Sequence, residues 1–432
     1  MASGRAVLWA VVGLMGCTLP FDTSLIENDG GRGDAGVPDA DVDASTPCDP
    51  PVEDVGELGP EPTPPPLPAE GERGEDPDFG SCHRVILAGV ADTVHPAEAP
   101  LGPFGERVLT RSVSEWTLHE LETAGRTDFI VEGQAYFDDD SREVWQVSRD
   151  GDALGLCRPP VSGLRLTCEQ EWALAPLLPG LPASGYALVD ADPARERFIV
   201  RGGGGSAVID LSDRGAPRVV VEHPTADARF TPTGRHHYAL VGGEIVFHAS
   251  DDGAETRRHA FARAPSRVWV TELPGDAFEH VVIYEEGDFL RYVRLGAETT
   301  GGELRDARVT VGERHIVPVL IAGAPPDLGL FVAAFRSCQD GGADCGPEVS
   351  EVLPRRSQLA LIDARVEPPR VVPFAWHFMS HRAHPTVHTR LGASGGLSSV
   401  WLNSDWGTAS QELDGNLVEF IVPPHLLASP RP

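Results

Sequence analysis

From residue 82 onward, apolar segments of four to eight residues recur at short intervals, each cut off by glycine, aspartate, proline or serine. The clearest are "RVILAGV", "REVWQVS", "ALVDAD", "RFIVRG", "SAVIDLS", "HVVIYEE" and "LRYVRLG". They are β-branched or alternating, and they are too short to be amphipathic helices. No helical apolar period lasts more than two turns. "SVSEWTLHELETAG" comes nearest, and its "WTLHEL" reads equally as a strand. The folded part of the chain is therefore expected to be all-β.

The segments fall into groups beginning near residues 81, 128, 185, 223, 266, 314 and 383, which gives about seven units of strands. The most complete unit runs from His223 to Gly253. In it the turn Thr231-Pro232-Thr233-Gly234 precedes a strand at Tyr238–Val241. A Gly-Gly hairpin at 242–243 follows, then a strand at Glu244–His248 and a turn at Asp251-Asp252-Gly253. "FTPTG" resembles the Phe-Ser-Pro-Asp-Gly turn of the TolB-like propeller repeat, with Thr233 in place of the aspartate. "LNSDWG", 402–407, resembles the Phe-x-Ser-Asp-x-Gly strand end of that family. The resemblance implies a β-propeller over residues 80–425, a ring of four-stranded blades that protects its strand edges. About seven blades are expected, with six and eight as alternatives, and two stacked sandwich domains are the rival architecture. Residues 426–432 form a short C-terminal tail.

Ahead of this region the composition changes. Residues 18–79 hold 17 aspartates and glutamates against two arginines, half of the net charge of −30. Gly, Pro, Ala and Asp dominate, so this stretch cannot bury enough apolar surface to offset its ordering entropy. It reads as a disordered acidic tether spanning on the order of 45 Å. The Arg32-Gly33-Asp34 tripeptide within it is a chance match to an adhesion motif. Asp39, Asp41 and Asp43 mimic the start of a calcium loop, but Ala44 and Pro50 stand where its glycine and glutamate belong.

At the very start, Arg5 precedes an apolar run from Ala6 to Met15. A spanning helix needs about 20 such residues, so the run fits the h-region of a signal peptide, residues 1–16. Leu14-Met15-Gly16-Cys17 resembles the lipobox of bacterial lipoproteins, which implies cleavage before Cys17 and acylation of that cysteine. A triacylated residue anchors stably, unlike a single chain. Thr18, in place of an aspartate, implies sorting to the outer membrane in the enteric scheme. The chain is thus expected to be exported and held to a membrane through lipid on Cys17, with residues 17–79 as its tether.

Removing Cys17 leaves six cysteines, an even number in a chain bound for an oxidising compartment. Many pairings are allowed, and spacing suggests one. Cys157 and Cys168 flank a turn-rich hairpin, Cys338 and Cys345 flank the loop "QDGGAD", and Cys48 and Cys82 remain to clip the tether to the folded region. Without a C-x-x-C pair, a zinc site from these cysteines is disfavoured.

The acidic balance excludes nucleic acid as a partner, because phosphate binding needs a basic footprint. All 35 basic residues are arginine. "RGGGGS", 201–206, lacks the Lys-Ser/Thr pair of a phosphate loop and reads as a hairpin turn. No Gly-x-Ser-x-Gly elbow is present. Asp138, Asp139 and Asp140 suit a turn, and Trp406 of "SDW" suits packing between blades. The most suggestive cluster is "WHFMSHRAHPTVH", with His377, His381, His384 and His388. His384-Pro385 resembles the metal-binding turn of propeller-type oligogalacturonide lyases, which implies a divalent-metal carbohydrate lyase or hydrolase. Thr386 stands where that family has its second histidine. The reading preferred here is a non-enzymatic monomer without cofactor that binds a protein or glycan through a propeller face.

Overall fold

The computed structural model describes residues between 65 and 428, leaving out 92–106, 336–357, 379–386, 392–396, 405–413 and several shorter connections. Among the described residues, seven of its antiparallel sheets follow one another along the chain as blades, and a two-stranded ribbon, Thr310–Val311 with Arg314–His315, lies between the fifth and the sixth. Blade 1 holds Arg107–Ser112, Glu115–Glu120 and Gly125–Ile130. Blade 2 holds Ala135–Asp138, Glu143–Val147, Ala153–Arg158 and Thr167–Ala173. Blade 3 holds Ala187–Asp192, Arg197–Gly202, Gly205–Asp210 and Arg218–His223. Blade 4 holds Ala228–Phe230, His236–Val241, Glu244–Ala249 and Glu255–Ala260. Blade 5 holds Val268–Leu273, Glu279–Glu286, Phe289–Leu295 and Thr299–Arg308. Blade 6 holds Pro318–Ala322, Leu330–Phe335, Gln358–Asp363 and Arg370–Trp376. Blade 7 is built from both ends of the fold: Val387–Leu391, Leu397–Ser404 and Asp414–Ile421 are joined by Cys82–Ala91 and, at the edge, Arg73–Glu75.

This order is that of a β-propeller. Successive blades share apolar cores, and the alternation of strand side chains shows why. In Leu330–Phe335, Phe331, Ala333 and Phe335 pack toward blade 5, while Val332 and Ala334 pack toward blade 7. In Arg197–Gly202, Phe198 and Val200 face blade 2 and Ile199 faces blade 4. A strand buried on both faces has no polar side to alternate with, so "LFVAAF" is continuously apolar and every residue of it is buried. Each large side chain so enclosed contributes roughly 1.5–3 kcal/mol. Similar cores join blades 1 and 2 around Phe129 and Val144, and blades 4 and 5 around Phe247 and Val282.

The ring closes where the two ends of the chain meet. His83, Arg84 and Val85 pair with Phe420, Glu419 and Val418. Arg84 Nε donates to Glu419 Oε2 at 2.5 Å, and the other carboxylate oxygen accepts from Ser399 Oγ (2.6 Å) and Trp401 Nε1 (3.1 Å). Asp76 adds a second stitch, accepting from the backbone N–H of Trp376 in blade 6 at 2.7 Å.

Five expected unit starts lie within five residues of a blade's first strand. The other two differ. Cys82–Ala91 does not begin a blade of its own but completes the last one, and residue 128 falls in the final strand of blade 1. The edge strand Arg73–Glu75 lies upstream of the boundary at residue 80 read from composition. The glycine turns read from the sequence at 203–204, 231–234, 242–243 and 251–253 are present. Gly203-Gly204 and Gly242-Gly243 both have positive φ (59° and 87°, 61° and 88°), as a two-residue type I′ hairpin requires. Cys157 and Cys168 are disulfide-bonded across adjacent strands of blade 2. Cys82 is disulfide-bonded too, while Cys17, Cys48, Cys338 and Cys345 lie outside the described residues. Among the described residues no helix is long and apolar enough to cross a membrane.

Candidate functional site

Ionisable side chains concentrate where blades 3, 4 and 5 meet, around the Thr231–Gly234 turn. Thr231 O accepts from Gly234 N at 2.8 Å, and Gly234 has φ +65°. Blade 3 grips one side of this turn. Asp190 Oδ2 accepts from Phe230 N (2.8 Å), and Arg195 bridges Asp192 Oδ2 (2.8 Å) and the Thr233 carbonyl (2.5 Å). Desolvation holds the Asp190 carboxyl above its ordinary range, despite the pull of Arg229 and two backbone N–H donors.

Blade 5 grips the other side through Glu272, whose side chain is fully buried. Its Oε1 accepts from Thr231 Oγ1 at 3.0 Å and its Oε2 from Thr233 N at 3.0 Å. The same Oε1 lies 3.3 Å from His236 Nδ1 and 3.7 Å from His280 Nε2. Burial pushes the Glu272 carboxyl up, but the donors from His236 and Thr233, with the field of His280, outweigh it and leave the group below its ordinary range. His280 is pulled down to about 4, first by burial and against the attraction of Glu272, and its ring stacks on Phe247 with centroids 4.2 Å apart. The ligand-capable atoms of His236, Glu272 and His280 lie within 4.8 Å of one another.

A second histidine group adjoins it. His237 Nε2 is 3.0 Å from His223 Nε2, and His237 Nδ1 is 3.3 Å from Ser250 Oγ. His248 Nδ1 donates to the Gly253 carbonyl at 3.0 Å, and its ring stacks on that of His237. Desolvation, reinforced by the neighbouring imidazoles, lowers His237 to about 2 and His223 to about 4. The short contact between the two rings is therefore a hydrogen bond between neutral imidazoles, one giving its N–H and the other a lone pair.

The histidines singled out in the sequence fare differently. His377 is buried at the end of blade 6, and its Nε2 lies 2.9 Å from the Phe335 carbonyl. A carbonyl only accepts, so Nε2 carries the proton and is not a ligand atom in this arrangement. His388 pairs with Trp401 in the backbone register of blade 7. His381 and His384 lie outside the described residues, as do Asp139, Asp140 and Trp406.

Sequence reading did not single out Glu272, His236 or His280. Their one visible signal is a charged residue inside an otherwise apolar strand, "VWVTEL", which a strand buried on both faces tolerates only with partners.

No family model matches this sequence, and no curated protein matches it. Among solved structures, the Pan2 WD40 domain of Neurospora crassa is similar at 11% identity, with a TM-score of 0.41, over 78% of this chain and 90% of that one. The propeller assignment rests on the strand order and ring closure of the chain itself.

Proposed function

We propose that this chain is an exported lipoprotein that presents its propeller as a non-enzymatic module for binding a protein or glycan. One observation carries the binding half of this reading: the ionisable groups at the blade junctions act as clamps between blades. Glu272, Asp190 and Arg195 hold the blade 4 turn, while Glu419 and Asp76 hold the ring closure. Groups fixed in this way serve the scaffold, and recognition falls to the loops that connect the strands, where propellers carry it. The net charge of −30 favours a neutral or basic partner over a polyanion. The anchoring half rests on the lipobox-like Leu14-Met15-Gly16-Cys17.

Two measurements test the proposal. Labelled fatty acid is expected on the wild-type chain in the outer-membrane fraction, and Cys17→Ser is expected to lose the label and become soluble. Incubating the purified chain with oligogalacturonide and divalent metal is expected to give no turnover. Turnover that disappears in His384→Ala overturns the non-enzymatic reading.

A further inference from the structure

We infer that His236, Glu272 and His280 form a binding site for a divalent transition metal, of which zinc is the best match, at the junction of blades 4 and 5. Three observations support this. The first is spacing. Tetrahedral zinc with bonds of about 2.0–2.1 Å places neighbouring ligand atoms about 3.3–3.5 Å apart. Glu272 Oε1 stands 3.3 Å from His236 Nδ1 and 3.7 Å from His280 Nε2, and all three ligand atoms fall within 4.8 Å. A small rotation of the imidazoles brings them onto one ion.

The second observation is the His280 ring. Its side chain is 3% exposed, and neither ring nitrogen has a hydrogen-bond partner. A buried polar group left in that state costs about 1–3 kcal/mol, yet this one is aimed at the carboxylate. A metal ion between the two satisfies the imidazole lone pair and supplies positive charge beside the carboxylate. Among the described residues, the partners of Glu272 are two threonines and two imidazoles, none of them a permanent cation.

The third is the outer layer. Thr231 Oγ1 and Thr233 N donate to the same carboxylate, and hydrogen bonds of this kind fix the orientation of a metal ligand. Two imidazoles and one carboxylate make a borderline donor set that suits zinc, cobalt or nickel. Calcium and magnesium want six or more oxygens in all. The ion would tie the blade 4 turn to the inner strand of blade 5, reinforcing the clamp that Glu272 already makes.

The test is a titration of the full chain, purified in detergent and freed of metal with a chelator, with Zn²⁺ by calorimetry and with Co²⁺ by visible absorption. One saturable equivalent is expected, with the strong visible bands of four-coordinate Co²⁺. His280→Phe keeps a ring against Phe247 and removes the ligand. Glu272→Gln keeps the hydrogen bond from Thr231. Each is expected to weaken binding more than about tenfold, and circular dichroism establishes that the variant is folded; either folded variant decides the matter. His384→Ala, a change more than a hundred residues further along the chain than His280, is expected to bind as wild type does. Absence of saturable binding in the wild-type chain overturns the inference. So does binding that survives in a folded His280→Phe or Glu272→Gln chain, or that disappears in His384→Ala.

Discussion

At the scale of single residues, two groups answer to different physics. Gly234 sits at φ +65°, and a Cβ there would come within 2.0 Å of Asp192 Oδ2 and 2.6 Å of an Arg195 nitrogen. Gly234→Ala therefore adds backbone strain and breaks the blade 3 grip on the turn. A loss of about 2–3 kcal/mol is expected, read as a lower Tm or denaturation midpoint. The buried imidazoles give a pH dependence. Burial lowers His83 and His223 to about 4 from an unfolded value of 6.5. Both are neutral in the folded chain, so their contribution is complete above pH 6.5 and is lost as pH falls from 6.5 through 4. Denaturant titrations at pH 7 and pH 4.5 should show a less stable protein at the lower pH, by on the order of 5 kcal/mol for the two together. His83→Phe should flatten part of that slope. Legibility at this scale divides by distance along the chain. The Gly-Gly hairpins and the Cys157–Cys168 staple were readable, because the partners sit within a dozen residues and the turn chemistry between them is local. The cluster of His236, Glu272 and His280 was not readable. Glu272 lies 36 residues from His236, and their meeting depends on how two separate sheets pack.

At the scale of elements, the strands were legible because both faces are buried. Inner strands such as "LFVAAF" and "QLALID" lack a polar face, so their burial forces an apolar run short enough to exclude a helix. Their grouping was harder to read. A connection between blades can be as short as one within a blade: Ile130, the last residue of blade 1, stands only five positions before Ala135, the first of blade 2. A unit starting near 128 therefore straddles that junction. Element energetics follow from the two-sided packing. Phe331 is completely buried in the core shared by blades 5 and 6, and Phe331→Ala is expected to cost about 3–5 kcal/mol in equilibrium unfolding. Leu164, in the turn between Cys157 and Cys168, is 45% exposed. Leu164→Ala should change stability by no more than about 0.5 kcal/mol, and an equal effect of the two substitutions contradicts the assignment of inside and outside.

At the scale of the whole molecule, the ring depends on a contact that no local pattern announces. Cys82–Ala91 reads as an ordinary strand, and only the fold reveals that it lies beside Asp414–Ile421, at the other end of the chain. A linear row of blades would leave the Asp414–Ile421 strand as an exposed edge, with Phe420 and Val418 beside unpaired backbone groups, a template for aggregation. Pairing with residues 82–91 removes that edge, and the buried Glu419, bonded to Arg84, Ser399 and Trp401, ties the pairing to the blade's interior. A chain beginning at residue 92 should accordingly lose far more than the area of one strand. The expected outcome is loss of the single cooperative unfolding transition, with aggregation at concentrations where the chain from residue 65 stays monomeric by light scattering. Arg84→Ala within the longer chain is a milder form of the same test. It takes the guanidinium away from a buried carboxylate, and a loss of about 2–4 kcal/mol is expected, with hydrogen exchange rising first at the amides of residues 82–85 and 417–421. If the chain from residue 92 unfolds with the same midpoint and cooperativity as the longer one, the seam is not what closes the ring.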